Sequence, residues 1–246
     1  EKNFFSLPSC LLKIYSKDND KIIGDFFKEH KIKRAIIKPA TGGSSIGVFS
    51  VNTKEEAIEK ANFLFSKRMD TRVVLEPFAE GKEFTVIILQ NEVGMPVALI
   101  PSEIEMAYHE GRIFDFRKKY LPTNQVKYHC PARFSNETIE KIQTQAKMLF
   151  SLFKMKDFAR FDGFLFPDGN IWFSDFNPLS GMEQNSFLFQ QASRLDMSHS
   201  DLLRYLIKSS CSRQGISFPV LQNLKKKEKK PVSVIFGGKT SERQVS

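Results

Sequence analysis

The stretch that decides the fold reads Ala159-Arg160-Phe161-Asp162, then a turn at Pro167-Asp168-Gly169-Asn170, then Asp175-Phe176-Asn177. Because turn residues separate two apolar runs, the pattern predicts a β-hairpin with strands from Phe158 to Phe166 and from Ile171 to Phe176. Two carboxylates and a carboxamide then lie on paired strands and can face the same side of the sheet. Oxygen ligands arranged in this way suit Mg²⁺ held against nucleotide phosphates.

Length and charge indicate a globular protein. The chain has 246 residues, of which 41% are hydrophobic, enough for one large or two small domains with a substantial core. The net charge is +9, but the run from Lys225 to Lys230 contains five lysines and one glutamate and so supplies +4 of it. The other basic residues are scattered among acids, which favours a solvated linker over a nucleic-acid surface.

The cysteines and the hydropathy pattern point to the cytoplasm. Cys10, Cys130 and Cys211 are odd in number and lack paired or metal-type spacing, so we expect reduced thiols. No apolar stretch approaches the length of a membrane span, and no signal peptide opens the chain, so we expect no membrane partner. The first residue is not Met, and we therefore expect the natural protein to begin upstream.

The first third of the chain predicts a hairpin covered by a helix. The run from Arg34 to Lys38 leads into a glycine-rich loop, and a second apolar run from Gly47 to Val51 follows. Thr53 and Glu56 have the spacing of a capping box. The helix that they start should pack on the hairpin through apolar residues at helical spacing, namely Ala57, Ile58, Ala61, Leu64 and Phe65.

Further strands are predicted from Arg72 to Glu76, Glu83 to Leu89 and Pro96 to Pro101. A polar and aromatic segment from Tyr108 to Pro131 has no clear period and is interpreted as a long loop, either a lid or disordered. A second helix is predicted to begin near Ser135 or Asn136. Its apolar face consists of Ile139, Ile142, Ala146, Leu149 and Phe153.

The glycine-rich loop from Thr41 to Gly47 has two interpretations. Glycines let backbone N–H groups close around phosphate oxygens, while Lys38 supplies a charge and Ser44 and Ser45 supply hydroxyl donors. The alternative is an ordinary hairpin turn. The loop matches neither the Walker pattern nor the dinucleotide fingerprint, so taken alone it favours the turn.

Together, these motifs resemble the ATP-grasp ligases, and within them the D-alanine--D-alanine ligase family, over most of residues 7 to 207 and in the family's order. The resemblance implies an α+β fold of two ATP-grasp subdomains, residues 1–84 and 85–208, with the nucleotide in the cleft between them. Residues 209–230 would be a basic linker. Residues 231–246 resemble the first strand of a following ligase-like N-terminal domain, with Glu242 facing the ammonium of its first substrate.

The resemblance also assigns roles to residues, with ATP and two Mg²⁺ or Mn²⁺ ions as cofactors. The nucleotide would be bound by Lys38, Gly43, Ser45, Glu76, Pro77, Ala79 and Glu83, of which Glu76, Pro77 and Ala79 hold adenine and Glu83 holds ribose. The metal ligands would be Asp162, Asp175 and Asn177. The catalytic residues would be Arg160, Lys119, Tyr120, Ser44 and Gly181, with Tyr120 bonding Ser44. The second substrate's carboxylate would be held by Ser186 and the N–H of Phe187.

The implied activity is ATP-dependent ligation of two D-alanines to D-alanyl-D-alanine, through an acyl phosphate, for peptidoglycan synthesis. Two alternatives stay open: a degenerate module that binds nucleotide or braces a partner unit, and a ligase for another small amino acid. The chain departs from the family by having Asp175 in place of Glu and Pro178-Leu179-Ser180 in place of Thr-x-Pro, and by lacking the N-terminal domain. A second ligase-like unit in the parent chain and homodimerisation are further expectations.

Overall fold

The computed structural model describes residues 4–43, 45–106 and 126–218 as a mixed α/β protein with two antiparallel sheets. The described residues divide into two compact units, one up to Glu80 and one containing Gly81–Glu105 and residues 127–218. None of the described helices is both long and apolar enough to cross a membrane. Cys10, Cys130 and Cys211 are free thiols, as predicted.

The first unit is a four-stranded sheet with two helices. Its strands are β1 (Cys10–Lys13), β2 (Ala35–Pro39), β3 (Phe49–Val51) and β4 (Arg72–Pro77), in the order β1-β4-β2-β3. Helices α1 (Asn19–Glu29) and α2 (Lys54–Ser66) supply one side of its core. Burial of apolar side chains such as Leu12, Ile37 and Leu64, all inaccessible to solvent, holds this unit together.

The predicted hairpin and helix of this unit are confirmed. Ala35 pairs with Val51 and Ile37 with Phe49, and Ala57, Ala61 and Leu64 of α2 are buried in the same core. The capping box is only half formed. Thr53 accepts the Glu56 N–H at 3.1 Å, but the Glu56 carboxylate accepts from the N–H of Asn52, one residue earlier than the cap.

The second unit is a six-stranded sheet with helices against its central strand. The strands are β5 (Lys82–Gln90), β6 (Pro96–Ala98), β7 (Ser102–Met106), β8 (Val126–His129), β9 (Phe158–Leu165) and β10 (Ile171–Asn177). They run in the order β10-β9-β5-β7-β8, and β6 also pairs with β5. The helices are α3 (Asn136–Leu152), α4 (Phe187–Ser193) and α5 (His199–Arg213).

Strand β5 is the centre of this unit, and every residue from Phe84 to Gln90 is buried. Ile87 and Leu89 pack with Leu188 of α4 and Leu202 of α5. This burial explains why the sequence shows a continuous apolar run at β5 rather than alternation.

One polar side chain completes the hydrogen bonding of β5. Residues 83–85 of β5 pair with β7, and residues 88–90 pair with β6. Between these two stretches, the Ile87 N–H donates to the side-chain oxygen of Gln191 of α4 at 3.0 Å, and Gln191 is wholly buried. Its amide nitrogen donates to the Thr85 carbonyl at 3.0 Å and to the Ser102 hydroxyl at 3.1 Å. Backbone groups that would otherwise be orphaned in the core are therefore satisfied.

Three predictions in this unit need correction. Strand β8 lies inside the segment from Tyr108 to Pro131 that was predicted to be a loop, because Val126–His129 has a sheet edge to pair with. The strand predicted from Pro96 to Pro101 ends at Ala98. On α3, Phe150 is buried, whereas Phe153 is 47% exposed and follows the helix end, where it packs edge-on against Phe176.

The close contact at Gly163 depends on the absence of a side chain. A Cβ atom there would lie 2.5 Å from the Trp172 carbonyl oxygen and 2.7 Å from the Phe84 ring. We expect Gly163→Ala to lower the free energy of unfolding by about 1–3 kcal/mol, the usual cost of overpacking. Gly24→Ala is the control, because Gly24 lies within α1 and its Cβ would meet nothing within 4 Å. Gly24→Ala should stabilise by about 0.5–1 kcal/mol.

Urea denaturation of the two variants and the unmodified chain measures both effects. Equal stability of Gly163→Ala and Gly24→Ala would contradict the close packing of β9 against β10 and Phe84.

Candidate functional site

Four polar side chains meet on one face of the β9–β10 hairpin. Asp162 lies directly opposite Asp175, and Arg160 lies opposite Asn177. Since alternate residues of a strand share a face, all four side chains point the same way. The predicted gathering of Arg160, Asp162, Asp175 and Asn177 is therefore found in the structure.

A β-bulge creates this register. Phe173 pairs with Gly163, but the next pair is Asp175 with Asp162, so Ser174 is an extra residue on β10. In a regular ladder without the bulge, Asp162 would lie opposite Ser174 and not opposite Asp175. Bulges commonly redirect a side chain beside a functional site.

Arg160 and Asn177 hold the two carboxylates. The Arg160 guanidinium donates twice to Asp162, at 3.1 and 3.0 Å, and the Arg160 and Asp162 side chains are only 18% and 10% exposed. The Asn177 amide nitrogen donates to Asp162 and to Asp175, at 3.3 Å each. A nearly buried carboxylate needs such partners, because burying an unpaired charge is costly.

These oxygen ligands are too few for a complete metal site, but they fit Mg²⁺ that also binds water and phosphate oxygens. The described part of the chain contains no cluster of three or more His, Cys, Asp or Glu side chains able to hold a metal. Asp162 and Asp175 supply carboxylate oxygens, and a half-turn of the Asn177 amide would present its oxygen. Mg²⁺ prefers six oxygen ligands and commonly takes several of them from water and substrate phosphates.

The glycine-rich loop has backbone geometry that requires its glycines at two positions. Gly42 and Gly47 have φ values of +114° and +75°, and Ser45 also has a positive φ, of +59°. A Cβ at Gly42 would meet nothing within 4 Å, whereas one at Gly47 would meet Met69, Leu64 and Pro39 at about 3 Å. Conformation alone demands Gly42, while both conformation and packing demand Gly47. Ser44 lies outside the described residues.

Asp70 anchors the start of this loop, a role that sequence reasoning missed. Its carboxylate accepts from the N–H and the hydroxyl of Thr41, both at 2.7 Å, and from the N–H of Arg72 at 3.0 Å. Chiefly because of the Thr41 hydroxyl, the pKa of Asp70 falls to about 2. The sequence signal was the Asp-x-Arg spacing at the entry of β4, which is typical of an Asx turn.

An ion pair joins β2 to β4 beside this loop. Lys38 Nζ lies 2.5 Å from Glu76 Oε1, and their side chains are 31% and 12% exposed. The strand end is held again at Phe78, whose N–H donates to the Arg34 carbonyl at 2.9 Å and whose ring lies 3.9 Å from the Arg34 guanidinium carbon. The structure thus brings two of the predicted nucleotide-binding residues into contact, with Pro77 and Ala79 next to them in the chain.

In the second unit, Glu83 lies near the start of β5, opposite Ile104 of β7 and Phe164 of β9. Gly181 follows β10, and the carboxylate of Glu183 lies so close that a Cβ on Gly181 would clash with its Oε2. Sequence reasoning did not single out Glu183. Lys119 and Tyr120 lie outside the described residues, as does the segment from Pro231 to Ser246.

Ser186 is the N-cap of α4, and Phe187 is the first residue of that helix. The hydroxyl oxygens of Ser186 and Ser180 are buried and have no hydrogen-bond partner among the residues that the structure covers. An orphaned buried hydroxyl normally indicates a missing partner such as water or a ligand. The helix N-terminus beside Ser186 favours a partner that carries negative charge.

A further charged cluster on β7 and β8 was not foreseen. Arg133 donates from its backbone and its guanidinium to Glu103, which is 3% exposed, and it also reaches Glu105 at 3.1 Å. The side-chain hydrogen bond from Arg133 lowers the pKa of Glu103. Glu105 accepts from or pairs with His129 at 2.8 Å. Arg133 pairs with both acids and His129 forms a hydrogen bond with Glu105, so these contacts join β7 to β8 and to the segment that follows β8.

Comparison with known proteins gives consistent matches to one family. A family model described as the D-ala D-ala ligase C-terminus matches residues 14–208. The D-alanine--D-alanine ligase of Christiangramia forsetii is 33% identical over 178 residues, covering 72% of this chain and 52% of that protein. The one from Prosthecochloris aestuarii is 31% identical over 190 residues, covering 75% and 49%. The chain thus spans about half the length of these curated relatives.

Solved structures agree on the fold. The D-alanine--D-alanine ligase of Bacillus anthracis superposes with a TM-score of 0.66 at 25% identity, covering 85% of this chain and 64% of that one. The VanG D-Ala:D-Ser ligase of Enterococcus faecalis gives a TM-score of 0.69 at 24% identity, covering 83% and 56%. The predicted α+β ATP-grasp fold is confirmed.

The anchoring of the glycine-rich loop by Asp70 predicts an acid-dependent contribution to stability. The folded-state pKa, about 2, is below the ordinary value of 3.8, so this contribution is present above pH 4 and is lost as the pH falls towards 2. Asp70→Asn should remove that part of the pH dependence, giving a shallower loss of stability between pH 4 and pH 2 than in the unmodified chain. Urea midpoints measured across this range test it.

Thr41→Val is the matched variant, because it removes the hydroxyl donor and leaves the carboxylate. It should flatten the same part of the profile, though less than Asp70→Asn does. Parallel pH profiles for all three proteins would contradict the anchoring role.

Proposed function

Because the chain belongs to the D-alanine--D-alanine ligase family, we propose that it carries the nucleotide and metal machinery of an ATP-dependent ligase that joins two D-alanines. The observation that carries the proposal is the four-residue group on β9 and β10, where Asp162 faces Asp175 and both are held by Arg160 and Asn177. The product would serve peptidoglycan synthesis.

The proposed reaction has two steps. The carboxylate of the first D-alanine attacks the γ-phosphorus of ATP, giving an acyl phosphate and ADP. The amine of the second D-alanine then attacks the acyl carbon, a peptide bond forms, the amine loses a proton and inorganic phosphate leaves. Negative charge on phosphoryl and carbonyl oxygens is the main barrier to both steps, so the protein must supply fixed positive charge and hydrogen-bond donors.

The polar group on the β9–β10 hairpin would supply this stabilisation. Asp162, Asp175 and Asn177 would hold Mg²⁺ or Mn²⁺, which neutralises phosphate charge when bound. The guanidinium of Arg160, which the Asp162 carboxylate holds in place, would reach the acyl phosphate. The N–H of Gly181 would bind the developing oxyanion. Lys119, Tyr120 and Ser44 keep their proposed catalytic roles.

Nucleotide binding would use backbone and charged groups together. N–H groups at Gly43 and Ser45 and the charge of Lys38 would bind phosphates. Glu76, the Pro77 carbonyl and the Ala79 N–H would bind adenine, and Glu83 would bind ribose hydroxyls. The second D-alanine's carboxylate would be bound by the Ser186 hydroxyl and the N–H of Phe187. Two observations support this role: the buried Ser186 hydroxyl has no hydrogen-bond partner among the described residues, and Ser186 lies at the start of a helix.

A second candidate function is nucleotide binding without turnover. Two observations favour it: Asp175 is one methylene shorter than the family's glutamate, and the guanidinium of Arg160 occupies both oxygens of Asp162. In that case the chain would bind ATP but would not ligate D-alanine. The two candidates differ in whether D-alanine accelerates phosphate release.

Calorimetry of the chain with Mg²⁺ and a non-hydrolysable ATP analogue tests the shared requirement. We expect binding that disappears when EDTA removes the metal. Absence of binding by a folded, monodisperse sample would overturn both candidates. Phosphate release from ATP that depends on D-alanine, with L-alanine as the control, would support the ligase. Binding of ATP without any such release would favour the second candidate.

The shorter carboxylate at position 175 gives a prediction. Asp175→Glu extends the ligand by one methylene towards the cation, so we expect it to tighten Mg²⁺-dependent binding of the ATP analogue on the order of tenfold, or 1.4 kcal/mol. Asp168→Glu is the control, because Asp168 lies in the turn of the same hairpin and bonds only Asn170 among the described residues. Weaker binding by Asp175→Glu would show that the bulged register is already fitted to aspartate.

A further inference from the structure

We infer that Lys38 is a positioning residue for the base-reading carboxylate of Glu76, so that one side chain links recognition of the triphosphate to discrimination of adenine from guanine. The inference rests on the proposed function. It adds a second role for Lys38, exerted through Glu76, to the phosphate contact.

The ion pair between the two strands is the first observation. Glu76 has only 12% of its side chain exposed, and its Oε1 lies 2.5 Å from Lys38 Nζ. Within the described ranges, Lys38 is the only cation within 4 Å of that carboxylate. A carboxylate so far removed from water depends on its cationic partner for its orientation, because burying an unpaired charge is costly.

The strand register explains why the two side chains meet. Lys38 pairs with Val74 and Ile36 pairs with Glu76, so Lys38 and Glu76 are diagonal neighbours on one face of the β2–β4 pair. A lysine is long enough to span a diagonal of this kind. Its ammonium has three donors, which leaves two for a phosphate after the bond to Glu76.

The backbone that follows Glu76, at Pro77 and Phe78, is held separately by Arg34, which lies just before β2. The Arg34 carbonyl accepts the Phe78 N–H, and the Arg34 guanidinium covers the Phe78 ring while also donating to Ser50 at 2.7 Å. The backbone on both sides of Pro77 is therefore held by hydrogen bonds and sheet pairing. What Lys38 adds is the orientation of the Glu76 carboxylate itself.

The chemistry of the bases makes this orientation selective. Adenine presents an amino donor at the position where guanine presents a carbonyl acceptor. A carboxylate aimed there accepts a hydrogen bond from adenine and repels guanine. A carboxylate that has lost its partner can turn away, and this change reduces the discrimination.

The test compares dissociation constants of non-hydrolysable ATP and GTP analogues, measured with Mg²⁺. Loss of a phosphate contact weakens both analogues equally and leaves their ratio unchanged. We expect Lys38→Met to weaken both and also to lower the preference for the ATP analogue by about tenfold. Lys33→Met is the matched control, since Lys33 is an exposed lysine just before β2, and it should leave the ratio unchanged.

Adenosine, which carries no phosphate, gives a second measurement. Lys38→Met should weaken adenosine as much as Glu76→Gln does, and the double variant should lose no more than either single variant. Lys38→Arg keeps the cation and should restore the preference for the ATP analogue. If Lys38→Met does not fold or no longer binds either analogue, Lys38→Arg and Lys38→Gln provide the same comparison.

An unchanged ratio together with unchanged adenosine binding in Lys38→Met would overturn the inference, as would an equal loss of preference in Lys33→Met. Failure of the proposed function looks different. In that case the unmodified chain would not bind the ATP analogue at all.

Discussion

The close packing of Gly163 between the Phe84 ring and the Trp172 carbonyl is the contact on which the second unit depends. Because Gly163 of β9 has no side chain, the backbone of β10 and the Phe84 ring of β5 can both lie close to it. Phe84 in turn meets Phe173 edge-on, with ring centroids 5.5 Å apart. The pair of Gly163 with Phe173 comes immediately before the bulge at Ser174, and the pair of Asp162 with Asp175 follows the bulge. The tight contact at Gly163 therefore fixes the register of the two strands next to the acidic pair.

Much of the fold followed from local pattern. The Pro167–Asn170 turn, the helix caps at Thr53 and Ser135, and the apolar spacing of α2 each depend on residues close together in sequence, and the structure confirms them. Strand β8 did not follow, because its four residues form a strand only by pairing with a distant edge. Phe150 was missed although it lies four residues after Ala146, and Phe153 was included although α3 ends at Leu152.

The candidate site was likewise predicted only in part from the sequence. Residue types and spacing were sufficient to put Asp162 and Asp175 on neighbouring strands, but not to show that an extra residue at Ser174 brings them opposite each other. The Asp70 anchor at Thr41 joins residues 29 apart in sequence, and the pairing of Arg133 with Glu103 joins residues 30 apart. Such contacts depend on tertiary geometry, which single-sequence patterns do not contain.

The buried amide of Gln191 has a mechanical consequence. Helix α4 is joined to the middle of β5 by hydrogen bonds of the kind that normally join strands, and its first residues are the proposed carboxylate-binding Ser186 and Phe187. A slide of α4 along the sheet by even one residue would break those bonds at once, whereas apolar contacts alone would tolerate a small shift. The register of β5 therefore sets the position of α4 along the sheet, and with it the position of Ser186 at the acceptor end of the site.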